Sequence, residues 1–150
     1  MLWFDFHGLR VKVTSDSDGV LEDVRRDFSY FSSSAGDQRI SLEVVSEPLL
    51  AANLPPVQAA LQTPRNIVYR DGDVSYVDYF GGALMICRDN GTVCRIHCPD
   101  RDLAHEIAFL TILSRVGEHL DAKGLHRVHA LGIETSGHAI LILLPMGGGK

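Results

Sequence analysis

The chain has 150 residues, of which 45% are hydrophobic and 22% are charged, and its mean hydropathy is +0.06. This composition is ordinary for a globular protein and excludes disorder as a general description, while the length suffices for one domain or for a domain with part of a second. The net charge is −5 and no block of lysines or arginines occurs, so we expect no nucleic-acid partner.

The N-terminus and the apolar segments predict a cytoplasmic protein. The first residues, MLWFDFHGLRVKV, have no positively charged leader ahead of an apolar core. No apolar run approaches the roughly 20 residues that span a bilayer. We therefore expect no membrane partner.

The first elements in chain order form a strand, a helix and a second strand. Residues 9–15 alternate apolar and polar side chains, which is the period of a half-buried strand, and residues 20–31 carry apolar side chains at helical spacing. Alternation then returns in a segment that ends at Pro48. The prolines that follow predict an irregular connection with a soft boundary near Pro64, so residues 1–64 form a predicted N-terminal module.

The next segment predicts an antiparallel meander followed by a long helix. Turn signals at Asp71-Gly72 and Asn90-Gly91 separate runs rich in valine and tyrosine, which indicates about four short strands. The clearest helix covers residues 101–120, with Asp100 or Asp102 as its cap. The apolar side of this helix carries Leu103, Ile107, Leu110, Val116 and Leu120.

Two further strands, joined at Thr135 to Gly137, complete the predicted order. The second is almost wholly apolar, which is typical of a strand buried on both faces. The predicted fold class is α+β: a mostly antiparallel sheet with two main helices, leading into an incomplete P-loop α/β nucleotide-binding domain. Residues 65–150 are assigned to the start of that domain.

The cysteines leave one question of pairing open. Cys87, Cys94 and Cys98 make an odd count without a CxxC motif, which argues against a secreted disulfide framework and against a zinc ribbon. A hairpin turn at Asn90-Gly91 places Cys87 directly across from Cys94. A cross-strand disulfide is conceivable, but a pair of packed thiols is favoured in a reducing compartment.

The last residues, ILILLPMGGGK, place glycines and a lysine behind an apolar run. In a P-loop, backbone N–H groups at glycines point at phosphate oxygens, and the lysine adds a charge on the outer phosphates. Leu144 stands where the first glycine of GxxxxGK belongs, and no Ser or Thr follows the lysine. A frayed glycine tail on a stand-alone α+β domain is the alternative. The predicted nucleotide-binding residues are Gly147, Gly148, Gly149 and Lys150.

The stretch EIAFLTILSRVGEHLDAKGLHRVHALGIETSGHAILILLPMGGGK resembles the HPr kinase/phosphorylase-like P-loop proteins, specifically the bacterial HPr-kinase-related group. The resemblance covers Tyr76 to Lys150. In that family a histidine ahead of the P-loop lysine lies near the catalytic centre, and here His129 precedes Lys150 by 150 − 129 = 21 positions. The resemblance implies ATP and magnesium as cofactors, His129 as a catalytic residue, and phosphoryl transfer to a hydroxyl on a protein or peptide.

The family carries its base and metal ligands after the P-loop, which predicts that this chain is an N-terminal fragment cut within its nucleotide loop. Such a fragment is expected to be inactive by itself and to hold no cofactor tightly. The sequence does not decide whether the protein forms a homo-oligomer. The alternative function is a non-catalytic, nucleotide-responsive docking module, in which residues 1–64 recognise a protein or peptide partner.

Two clusters suggest a metal site, but neither carries a complete ligand set. His126 and His129 lie three residues apart, and Cys94, His97 and Cys98 form a CxxHC group. Neither cluster has the second half that a standard zinc site needs. We therefore predict no metal ligands.

Overall fold

The computed structural model describes residues 1–48, 54–126, 128 and 130–143. Contacts divide the chain into a first unit, Met1–Val116, and a second unit, Gly117–Lys150. The strands and α-helices are β1 (Leu2–Phe6), β2 (Leu9–Ser15), α1 (Asp18–Asp27), β3 (Ile40–Val45), β4 (Ala59–Gln62), β5 (Ile67–Asp71), β6 (Val74–Asp78), β7 (Leu84–Arg88), β8 (Val93–His97), α2 (Arg101–Asp121), β9 (Leu131–Thr135) and β10 (His138–Ile142).

The first unit is built on one eight-stranded sheet in the order β1-β2-β3-β8-β7-β6-β5-β4. β3 pairs in parallel with β2 and with β8, and the other neighbouring strands are antiparallel. The predicted α+β class, with a mostly antiparallel sheet and two helices, is confirmed. The sheet takes strands from both sides of residue 64. The assignment of residues 1–64 to an N-terminal module and of residues 65–150 to the start of a second domain stays a prediction.

Strict alternation explains why the first three strands of the sheet bury one face. In β1, β2 and β3, every second residue is buried and the residues between are half-buried, apart from Ser15, the half-buried last residue of β2. This is the period-two pattern of a strand with one covered face. β1 was not predicted, because its five residues LWFDF are short and hold one polar side chain. The most deeply buried side chains of these strands are Phe4, Val11, Val13, Leu42 and Val44.

Helix α1 begins at a serine cap and buries its apolar stripe. The Ser17 hydroxyl accepts a hydrogen bond from the Val20 backbone N–H at 3.4 Å, which satisfies one of the amide groups left unpaired at a helix start. Val20, Leu21 and Val24 are buried. The predicted helix is therefore confirmed, although it ends at Asp27 rather than Phe31.

A cluster of phenylalanine rings joins the sheet to both helices. The ring of Phe28, directly after α1, lies 5.7 Å from Phe4 and 5.4 Å from Phe6 of β1. It also lies 5.4 Å from Phe109 of α2. Aromatic pairs at these separations contribute about 0.5–1.5 kcal/mol each beyond their burial. The cluster therefore fixes where α2 lies over the sheet.

An ion pair between a buried carboxylate and a largely exposed guanidinium provides a second link between the helices. Arg101, at the start of α2, donates from Nε and Nη2 to Asp23 Oδ2 of α1 at 2.9 and 2.7 Å. The hydrogen bond from Arg101 holds the pKa of the Asp23 carboxyl below its usual value, against the opposing effect of burial. The carboxylate is thus charged at neutral pH.

The predicted meander and its hairpin register are confirmed. β5, β6, β7 and β8 follow one another as antiparallel neighbours, and Cys87 lies opposite Cys94. Asn90 and Gly91 have φ values of 55° and 80°, the positive values that a tight type I′ hairpin requires at its central residues.

The second unit contains a two-stranded antiparallel hairpin of β9 and β10. Ser136 and Gly137 form its turn with φ values of 51° and 76°, so the predicted junction is confirmed. All five residues of β10 are exposed, so the predicted burial on both faces is not found among the described residues. In the described part of the chain β10 pairs only with β9, and a two-stranded ribbon has no neighbours to cover its faces.

Among the described helices, none combines the length and the apolar character needed to cross a membrane.

Candidate functional site

The predicted nucleotide-binding residues Gly147, Gly148, Gly149 and Lys150, and the predicted catalytic residue His129, lie outside the described residues. His126 follows α2, and its Nδ1 shares a hydrogen bond of 3.0 Å with Oδ1 of Asp121, the last residue of that helix. Within the described ranges, no group of three or more His, Cys, Asp or Glu side chains could hold a metal ion.

A cavity of about 510 Å³ lies in the first unit. Its floor is formed by Met85, Cys87 and Cys94 of β7 and β8, and one wall is formed by α2. The turns between β4 and β5 and between β6 and β7 form the rim. This volume falls within the range of small-molecule sites, which are mostly apolar with a few polar groups.

Helix α2 presents one continuous stripe to this cavity. Leu103, Ile107 and Leu110 line it, at the i, i+4 and i+7 positions of one helical face. The helix begins behind Asp100, whose Oδ1 accepts a hydrogen bond from the Leu103 backbone N–H at 2.9 Å. Ile107 is 1% exposed whereas Leu110 is 47% exposed. The stripe therefore runs from the core to the rim.

A strained aromatic residue stands on the rim. Phe80 has a φ of 53° and its side chain is 55% exposed. A bulky residue in this left-handed region is an outlier, and such strain concentrates at binding sites and other functional positions. The turn is held by the Gly82 N–H donating to the Tyr79 carbonyl at 3.1 Å, and by the Gly81 N–H donating to Asp78 Oδ1 at 2.9 Å.

Charged groups of both signs line the opening. Arg65 forms an ion pair with Glu106 through Nη2 and Oε1, and both side chains are substantially exposed, so the pair contributes little to stability. Burial raises the pKa of the Tyr79 hydroxyl, an effect that Arg65 opposes and Glu106 reinforces. The phenol therefore stays protonated at neutral pH and contributes no charge to the cavity.

Arg115 supplies a second guanidinium to the cavity lining. If Gly91 carried a side chain, its Cβ would lie only 2.6 Å from Arg115 Nη1, which is too close for two non-bonded atoms. The side chain thus lies against the turn of the β7–β8 hairpin, where glycine leaves room for it.

A disulfide between Cys87 and Cys94 forms part of the floor. The two Cα atoms lie 4.2 Å apart on directly opposed positions, which corresponds to the narrow type of antiparallel pair. The sequence-based preference for two packed thiols was therefore wrong. Cys98 is the one free cysteine, and burial raises the pKa of its thiol.

The cavity combines an apolar wall, two guanidinium groups and a disulfide, so it can hold a small molecule and expose a sulfur to it. The sequence identified the apolar side of α2 and the register of the two cysteines. It gave no signal for Arg65, Tyr79 or Phe80, because these reach the cavity through turns that are distant from α2 along the chain.

Comparison with known proteins returned no relative. No protein-family model, no curated protein and no solved structure matches this chain.

Proposed function

We propose that the chain forms the leading part of an ATP-dependent phosphotransferase related to HPr kinase, acting on a protein or peptide. The observation that carries this proposal is the order at the end of the sequence, where the apolar strand β10 (His138–Ile142) precedes Gly147 to Lys150. A strand that leads into a glycine-rich loop with a terminal lysine is the arrangement a P-loop needs.

The donors of the loop suit a polyphosphate. The backbone N–H groups of Gly147, Gly148 and Gly149 carry no side-chain obstruction, and the Lys150 ammonium would meet the outer phosphates. Magnesium would neutralise the charge that develops during phosphoryl transfer. His129 is assigned a position close to the transferred group by resemblance, and Leu144 departs from the usual loop glycine.

The exposed surface of the β9–β10 hairpin supports the same proposal. Ile133 pairs with Ile140, and Leu131 pairs with Ile142, so four large apolar side chains share one face of the ribbon, each 38–57% exposed. An apolar strand of this kind is typical of the interior of an α/β sheet. We propose that further strands of a nucleotide-binding domain cover it, in a cytoplasmic protein with access to ATP.

Calorimetric titration with magnesium-ATP tests the proposal. The titration uses the natural gene product that carries these 150 residues, the same protein with Lys150→Ala, and the same protein with Lys12→Ala as the matched control. Lys12 lies on β2, with its ammonium 5.9 Å from the ring of Trp3. We expect saturable binding that Lys150→Ala abolishes and Lys12→Ala preserves. Absence of binding by the unaltered gene product would refute the phosphotransferase.

The second candidate function is a non-catalytic docking module for an extended peptide. The specific observation is β4, which lies at one edge of the eight-stranded sheet with all four residues exposed. An edge strand with exposed N–H and C=O groups can pair with a strand from a partner. Selection from a peptide library against the chain, repeated with Leu61→Pro, tests it. Peptides retained equally by the proline variant would contradict strand pairing at β4.

A further inference from the structure

We propose that the cavity of the first unit binds a small aromatic molecule with a hydroxyl group, whose ring contacts Phe80 at the rim and the sulfur atoms of the floor. The inference goes beyond the proposed phosphotransferase and does not depend on it, because it uses only residues of the first unit. The cavity has the volume of a small-molecule site, about 510 Å³, and the apolar stripe of α2 forms one wall.

The Phe80 ring is held at the rim by a tight turn. The Tyr79 N–H donates to the Ala83 carbonyl at 3.0 Å, which closes the turn between β6 and β7. Within this turn Phe80 has a φ of 53°, a conformation that bulky residues rarely adopt. The ring is 55% exposed, so its own burial offsets little of this strain. Strain of this kind concentrates at positions that bind ligands, and a ligand ring would give Phe80 the aromatic neighbour it can pack against.

Sulfur atoms on the floor favour an aromatic ring over a saturated one. Met85 and Cys87 line the cavity and are both half-buried, so part of each side chain remains uncovered. The Thr111 hydroxyl donates to Met85 Sδ at 3.4 Å, which fixes the thioether beside α2. Sulfur makes favourable contacts with the edge of an aromatic ring at about 5 Å. An aromatic ligand therefore gains an attraction that a saturated ring of the same size lacks.

Uncharged polar groups in the lining suit a hydroxyl on the ligand. Asn66 and Ser114 line the cavity, and the Thr63 hydroxyl orients the Asn66 amide by donating to its Oδ1 at 3.0 Å. A hydroxyl both donates and accepts hydrogen bonds, so it matches amide and hydroxyl partners alike. Arg65 and Glu106 already form an ion pair with each other. The ligand therefore needs no charge to match this pair.

The test compares benzyl alcohol with cyclohexylmethanol in titrations of the purified, ¹⁵N-labelled chain followed by NMR. The two probes share a six-membered ring and a CH₂OH group, and both are uncharged. The saturated ring is the more apolar, so burial alone would favour cyclohexylmethanol. We expect benzyl alcohol to bind about three- to tenfold more tightly. Its largest chemical-shift changes should fall on the amides of Gly81, Gly82 and Leu103, next to the cavity.

Phe80→Leu and Tyr30→Leu form the matched pair of variants, because each replaces an exposed aromatic ring of the first unit. Tyr30 is 92% exposed and follows α1, where its ring contacts Phe31. We expect Phe80→Leu to reduce the preference for benzyl alcohol by about two- to fivefold and Tyr30→Leu to preserve it. Met85→Leu, which keeps the size of the side chain and removes the sulfur, should also reduce the preference.

Three results would overturn the proposal: no saturable shift of the three amides with benzyl alcohol, binding of cyclohexylmethanol that is equal or tighter, or an unchanged preference in Phe80→Leu. An equal loss of preference in Phe80→Leu and Tyr30→Leu would also refute it, because aromatic probes would then bind to exposed rings wherever they lie. Amide spectra that match the unaltered chain away from the substituted residue establish that each variant is folded.

Discussion

Two alanine substitutions on helix α2 should differ sharply in their effect on stability. Ile112 is 0% exposed and Leu110 is 47% exposed, although each loses three carbon atoms on replacement by alanine. Full loss of burial for three carbons costs about 2.4 kcal/mol. A residual cavity of about 80 Å³ at Ile112 adds about 2 kcal/mol. We therefore expect Ile112→Ala to lower the free energy of unfolding by about 4 kcal/mol.

Leu110→Ala should cost only about 1 kcal/mol, because about half of the side chain is already in water and solvent fills the space it leaves. Urea unfolding followed by the fluorescence of Trp3, the one tryptophan of the chain, reports on the first unit. The expected difference between the variants is about 3 kcal/mol. Equal losses would refute the placement of Leu110 on the cavity rim and favour a helix that buries both residues.

Three further predictions concern charge and backbone conformation. Arg101 holds the pKa of the Asp23 carboxyl below its ordinary 3.8. The charged carboxylate therefore stabilises the fold at neutral pH, and this stabilisation is lost as the pH falls through the pKa of the folded state. Urea unfolding at about pH 7 and about pH 3 should show a smaller loss of stability with falling pH for Asp23→Asn than for the unaltered chain. His97 has its pKa lowered from 6.5, first by burial, so its NMR titration midpoint should lie below 6.5, and its protonation should destabilise the fold as the pH falls through that midpoint. A midpoint above 6.5 would contradict its burial. Gly72→Ala imposes a φ of 56° on alanine and should cost about 1–2 kcal/mol in thermal unfolding. Gly91→Ala imposes a φ of 80° and also displaces the Arg115 guanidinium, so it should cost at least as much. No loss in either variant would contradict the left-handed turns.

The candidate site could be predicted only in part. The Asn90-Gly91 turn fixed the register that brings Cys87 opposite Cys94, because the side-chain period of a strand leaves no freedom once the turn is set. Strand register brings the two cysteines together but does not decide whether a disulfide forms between them. The expectation of free thiols was wrong. No short stretch of the sequence predicts the cavity, because residues that line it are far apart along the chain. Arg65 and Glu106, for example, form an ion pair although 41 positions separate them.

Local patterns in the sequence by themselves determined the predicted strands, the two helices and the α+β class, because alternation and helical spacing follow directly from backbone geometry. The tertiary structure decided the strand order, including the parallel pairing of β3 with β2 and with β8. It also decided that the apolar strand β10 is exposed and that Leu110 lines a cavity. These outcomes depend on which elements meet in space, and burial is a property of the neighbours a side chain acquires on folding.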